Sequence, residues 1–168
     1  TENGNLVKIA LEYSQTFDGI ICSYPLDKNL SQNGIVNEGI TSLSHGLRGI
    51  SKIAETTRLL RDINILEYTG GKLHFSHITT KESVKIIENA KKSGLNVSCS
   101  VGLPHLLFKD KEIENFNPNY KFLPPLRSNE DLQSLRSGVL SGVIDCVTSM
   151  HEPKNIEMLL PWLEWAYQ

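Results

Sequence analysis

An alternation along the chain constrains its fold more than any single motif does. Short apolar runs with β-branched residues are separated by longer stretches of helical spacing. The runs "DGIICSY", "KLHFSHIT", "LNVSCSVGL" and "VIDCVTS" read as strands. The stretch "NLVKIALEYSQTF" sets Leu6, Ile9, Ala10 and Tyr13 at helical spacing. "SKIAETTRLLRDINILEYTGG" predicts a helix capped by Ser51, with Ile53, Leu60, Ile63 and Leu66 along one face and a stop at Gly70-Gly71. "TKESVKIIENAKKSG" predicts another, from Thr80 as cap to Gly94. "SNEDLQSLRSGVLSG" places Ser128 three residues before Asp131, a relative of the capping box. "EMLLPWLEWAY" predicts a terminal helix interrupted by Pro161. Strands that alternate with helices pair in parallel through right-handed crossovers. The expectation is therefore an α/β chain of about four βα units, one domain over residues 1–168. The 22 residues "LSQNGIVNEGITSLSHGLRGIS" are rich in Gly, Asn and Ser and predict a loop. Loops of that length usually carry function.

Composition narrows the classes of function. A chain of 168 residues can bury a core. A net charge of −2 supplies no attraction for nucleic acid or an anionic membrane. No apolar run reaches the length of a membrane-spanning helix. The start, "TENGNLVKIALEYS", lacks the basic and apolar regions of a secretory signal. Cys22, Cys99 and Cys146 form no CxxC pair and predict buried free thiols in a reducing compartment. A cytoplasmic location follows as the expectation.

In parallel α/β folds, ligands gather beyond the C-terminal ends of the strands. Those ends read Cys22-Ser23-Tyr24, then Ser76-His77-Ile78-Thr79, then Ser100-Val101-Gly102 with Pro104-His105 beyond, and finally Thr148-Ser149-Met150-His151. His74 and His77, three apart on one strand, would face opposite sides and could not chelate one metal. Histidines at strand ends are more often hydrogen-bonded structural residues than ligands. No pair of carboxylates marks a strand end. Asp145 reads as mid-strand, and Glu55 opens a helix, where it suits the helix dipole or a helix–strand contact. GxGxxG, Walker A, GxSxG and HExxH are all absent from the sequence. Spacing by itself gives an α/β domain without a legible active site.

Longer segments say more. "GIVNEGITSLSHGLRGISKIAETTRLLRDINILEYTGGKLHFSHITT" and "NYKFLPPLRSNEDLQSLRSGVLSGVIDCVTSMHEP" carry several short motifs in a fixed order. Together they resemble the dihydroorotases, zinc amidohydrolases of pyrimidine biosynthesis, from about Gly4 to Glu157. The resemblance implies a (β/α)₈ barrel, of which this chain would be the C-terminal portion, incomplete without upstream residues. It also implies a zinc centre at the barrel's C-terminal face. There, metal-bound hydroxide attacks the cyclic amide of dihydroorotate and an Asp at the last strand carries the proton. The reverse reaction cyclises N-carbamoyl-aspartate.

Position by position, the resemblance makes His77 a metal ligand. Pro124, Pro125, Leu126 and Arg127 form the family's "PPLR" turn, and His151 and Pro153 shape its last active-site loop. It also exposes departures. Ser23 stands where the family has a metal-binding His. Met150 stands at the catalytic, metal-binding Asp, Leu123 at a substrate-binding Asn and Lys154 at a loop His. A thioether cannot take a proton at neutral pH and is a soft ligand, ill suited to zinc beside hydroxide. The expectation is a dihydroorotase-like chain impaired in catalysis and retained as a structural or regulatory partner. The implied partners are aspartate transcarbamoylase or a second copy of itself. The alternative is a working amidohydrolase with a rearranged metal site, acting on dihydroorotate and drawing ligands from upstream or from His74, His105 or Asp27.

Overall fold

The computed structural model of the chain describes residues 2–31 and 33–153. In chain order the elements are α1 (Gly4–Ser14), β1 (Ile21–Ser23), α2 (Lys28–Ser31), β2 (Val36–Asn37), α3 (Ile40–Ser44), β3 (Gly49–Ile50), α4 (Ile53–Thr69), β4 (Leu73–Phe75), α5 (Lys81–Lys92), β5 (Val97–Gly102), α6 (Leu103–Leu107), α7 (Asn129–Leu140) and β6 (Cys146–Thr148). The four strands expected from the sequence form one parallel sheet in the order β1-β4-β5-β6. Ile21 pairs with Leu73, Leu73 with Val97, and Ser100 with Cys146.

Alternate strand residues separate the two faces of this sheet. Leu73, Phe75, Val97, Cys99 and Val101 join Val7 and Leu11 of α1, Leu59, Ile63 and Leu66 of α4, Val84 and Ile87 of α5, and Leu135 of α7 in one core. The opposite face carries Cys22, His74, Ser98, Ser100 and Cys146. Each strand neighbours the next in order, and the helices pack on one face. That is the winding of a (β/α)₈ barrel arc and not of a doubly wound sheet. Among the described residues no helix is long and apolar enough to cross a membrane.

Local chemistry explains the helix ends. Asn3 caps α1, its side chain accepting from Asn5 N at 2.9 Å. Thr80 caps α5 through Ser83 N, as expected. Ser128 and Asp131 complete a capping box on α7. Asp131 also accepts from Lys52 Nζ and from the Lys81 amide at 3.0 Å, which ties the starts of α4, α5 and α7 together.

Several expectations need correction. The buried face of α1 is Val7, Leu11 and Ser14, whereas Leu6 is 52% exposed and Ile9 and Tyr13 also face outward. Both stripes have helical spacing, and packing against α4 selects between them. Helix α4 likewise buries Glu55, Arg58 and Asp62 beside Leu59 and Leu66, and turns Ile53 and Leu60 outward. Ser51 precedes its N-cap, which is Lys52. The expected loop after Leu30 is partly ordered: β2 and β3 pair in parallel around α3. Gly49 makes that possible, because a Cβ there would lie 2.5 Å from Glu38 Cα. Of the cysteines only Cys99 is buried, its thiol pKa pushed up to about 12 chiefly by burial, while Cys22 and Cys146 are exposed. Asp145 sits one residue before β6, paired with Lys91 at 2.8 Å and accepting from Cys99 N at 2.8 Å. The predicted terminal helix from Glu157 and the Lys154 position lie outside the described residues.

Candidate functional site

The C-terminal strand ends bring Ser23, His77, Gly102, His105 and Met150 to one end of the sheet, with Tyr24 against His77 (ring centroids 6.4 Å apart, edge to face). Strand β4 ends at Phe75, so His77 lies in the following turn with φ of 58° and not on the strand. Met150 has φ of 51°. Left-handed backbone at a non-glycine residue costs about 1 kcal/mol or more, so the fold fixes both side chains at some expense.

Each candidate has a definite set of partners. The Ser23 hydroxyl, in a residue only 5% exposed, donates to Asp62 Oδ2 at 2.6 Å. Asp62 is further held by Arg61 Nε at 2.8 Å and Arg58 Nε at 3.4 Å. Position 23 thus points into the layer between β1 and α4, and an imidazole there would have to enter that layer. His74 spends both ring nitrogens on serines, Nδ1 near Ser98 Oγ at 2.8 Å and Nε2 near Ser100 Oγ at 3.3 Å. Asp27 caps α2, accepting from the amides of Asn29 and Leu30 at 2.9 and 3.0 Å. Leu123 is 57% exposed, Pro125 is buried, and His151 is exposed with its amide donating to Ser149 Oγ.

Arg127 is a buried brace. Its Nη1 donates to Asn37 Oδ1 at 2.9 Å and to the Ile50 carbonyl at 2.7 Å, and Nε donates to Thr79 Oγ1 at 3.1 Å. Asn37 in turn donates to Asp110 Oδ2 at 2.9 Å. The "PPLR" turn therefore fastens the β2–β3 ribbon to the turn after β4. Glu55 completes the brace. Fully buried, it accepts from the amides of Thr79 and Thr80, from the Thr79 hydroxyl, and from Ser83 Oγ at 2.6 Å, with Arg127 Nη2 3.8 Å away. Glu55 does stand in the first turn of α4, but its contacts correct the expected helix–strand role: they run to the turn after β4 and the start of α5, not to a strand. Asp62 was not singled out at all. The signal for it was a charged residue on the stripe that also carries Leu59 and Leu66, which periodicity assigns to solvent.

Burial favours the neutral form of three histidines. Burial lowers the pKa of His74, His77 and His105, and the neighbouring His74 charge lowers His77 further. The unfolded chain binds protons near the ordinary value of about 6.5, whereas the folded chain binds fewer. Stability should therefore fall as pH drops through about 6.5. Thermal melts between pH 7.5 and 5.5 should show a decreasing midpoint, and a flat or rising midpoint would contradict this account of the three imidazoles.

Known proteins resemble this chain over most of its length. A model of the dihydro-orotase-like family matches residues 4–83. The dihydroorotase of Caldicellulosiruptor saccharolyticus is 41% identical over 163 residues, and that of Carboxydothermus hydrogenoformans 38% identical over 168 residues. Each alignment covers 94% of this chain. The chain belongs to the dihydroorotase-like family. It spans only 38% and 39% of the length of those two relatives. The fold also matches an L-hydantoinase from Arthrobacter aurescens (TM-score 0.82, 19% identity, 98% of this chain and 38% of that one). A D-hydantoinase from Thermus sp. matches with a TM-score of 0.80 and 21% identity, over 96% of this chain and 37% of that one. The dihydroorotase-like arc is thus a partial amidohydrolase barrel.

The zinc expected of a dihydroorotase-like chain does not fit the residues present here. Among the described residues no three His, Cys, Asp or Glu side chains converge as a metal site. Of the three positions that the resemblance assigns to metal, Ser23 is committed to Asp62, Met150 carries a thioether, and His77 alone carries a usual zinc donor.

Proposed function

We propose that this chain is part of a dihydroorotase-like barrel that keeps the family's scaffold and lacks its metal-hydroxide chemistry, serving as a structural or regulatory partner. The observation that carries the reading is the Ser23–Asp62 bond. The side chain at the position that the resemblance assigns to a metal histidine is turned into the helix layer and bound there at 2.6 Å. Met150 adds to it, since a thioether neither shuttles protons nor suits zinc. Loss of a general acid/base costs about 10²- to 10⁴-fold on its own. The brace through Arg127, Glu55 and Asn37 is intact, so the barrel's shape is specified where its reagents are not. The partner that fits this reading is aspartate transcarbamoylase, which makes the family's substrate, or a second copy of this chain. The expected setting is the cytoplasm.

The test is made on purified full-length protein. Zinc content well below one equivalent, no hydrolysis of dihydroorotate above background, and co-purification with a transcarbamoylase or self-association are the expected results. Stoichiometric zinc together with turnover would overturn the reading in favour of an active cyclic amidohydrolase with a rearranged site.

A further inference from the structure

Helix α6 begins directly after β5 and turns His105 inward, to 2% exposure. The ring Nε2 lies 3.0 Å from the Pro124 carbonyl oxygen. A carbonyl only accepts, so the ring proton is on Nε2, and Nδ1 carries a lone pair. Burial disfavours a second proton on this ring. Nδ1 has no hydrogen-bond partner among the described residues. A buried, orphaned acceptor of this kind is rare in native structures and calls for an explanation.

The missing side chain at Gly102 shows what Nδ1 faces. The point where a Cβ would stand is 2.0 Å from Met150 Sδ and 2.9 Å from His105 Nδ1, so the two atoms are within about 5 Å of one another. The sulfur has no proton to donate. Two lone-pair donors thus share the space above Gly102, and neither can satisfy the other. A cation can satisfy both. Metal–nitrogen and metal–sulfur bonds of about 2.0 and 2.3 Å let one ion join donors up to about 4.3 Å apart, a length inside that bound. An imidazole whose other N–H is fixed by a carbonyl has the arrangement that orients metal-binding histidines. Thioether sulfur selects soft ions such as copper(I) over zinc.

We propose that His105 Nδ1 and Met150 Sδ form a two-ligand site for a soft monovalent cation, copper(I) or its analogue silver(I), at the C-terminal end of β5. The site uses neither Ser23 nor His77. It depends on the same methionine that removes the family's carboxylate, so the substitution exchanges one metal preference for another.

Silver nitrate is the probe, titrated in chloride-free buffer into full-length protein labelled with ¹³C at the methionine methyls. Cys22→Ser and Cys146→Ser remove the two exposed thiols that would bind silver themselves, whereas the buried Cys99 keeps its proton. The Met150 methyl signal, identified by its loss in Met150→Leu, should shift and saturate at one equivalent. Zinc at the same concentration should leave it in place. Met150→Leu preserves side-chain volume, so the fold persists. It should weaken silver binding by at least the roughly 10- to 100-fold that loss of a supporting partner costs a metal site. His105→Gln should weaken it comparably. A Met150 methyl that does not move at one equivalent, or silver affinity unchanged in folded Met150→Leu, would overturn the proposal. Its failure would leave the zinc and turnover measurements above untouched.

Discussion

Replacing Glu55 with alanine is expected to destabilise the fold by about 3–5 kcal/mol, the range for removing one partner of a buried ion pair. The carboxylate receives the Thr79 and Thr80 amides at 2.8 and 3.1 Å and Ser83 Oγ at 2.6 Å, all in the interior. Its loss strands those donors. It also leaves the Arg127 guanidinium, whose side chain is itself buried, without its counter-charge. Urea denaturation of Glu55→Ala, Arg127→Met and the double variant would measure this. The double variant should cost clearly less than the two singles together, because removing both charges leaves neither uncompensated. Strict additivity would show that the two groups do not act as one brace.

The second large effect lies in the core. Phe75→Ala should cost about 3–5 kcal/mol by lost transfer energy and the cavity left behind. Phe75 is fully buried at the end of β4 and sits in register between Ser23 of β1 and Cys99 of β5. With Leu73 it is the contribution of β4, an inner strand, to a core that four helices share. A shift of the denaturation midpoint with little change in slope would report lost packing within an unchanged fold. A cost below about 1 kcal/mol would mean that the neighbouring side chains collapse into the space. Phe75→Leu should recover most of the loss, since it keeps much of the volume.

Much of this architecture was legible in the chain. The strand runs, the caps at Thr80 and Ser128 and the stop at Gly94 are local matters of backbone geometry and side-chain hydrogen bonding, and neighbouring residues suffice to decide them. The β2–β3 ribbon was not legible. Two strands of two residues each give no period to read, and their pairing depends on Arg127, which is distant in sequence. The buried stripes of α1 and α4 were misassigned for a related reason. A charged residue counts as polar in any periodicity, yet Glu55 and Asp62 are buried because hydroxyls and amides from other elements meet them.

The candidate site divides in the same way. Sequence placed His77 on a strand end, Arg127 in a turn and Met150-His151 where a strand gives way to a loop, and the resemblance marked Ser23, Leu123 and Met150 as departures. It could not say where those side chains point. Ser23 turned toward Asp62, Arg127 buried against Asn37, and the His105 nitrogen facing the Met150 sulfur are all decided by contacts across the barrel arc. The alternation of short apolar runs with capped helices determined a parallel α/β chain, because strand and helix periods are properties of consecutive residues, and the strand order then made it a barrel arc. Which groups became ligands, braces or packing was decided only by tertiary structure, since each depends on a partner more than about twenty residues away, which no local pattern records.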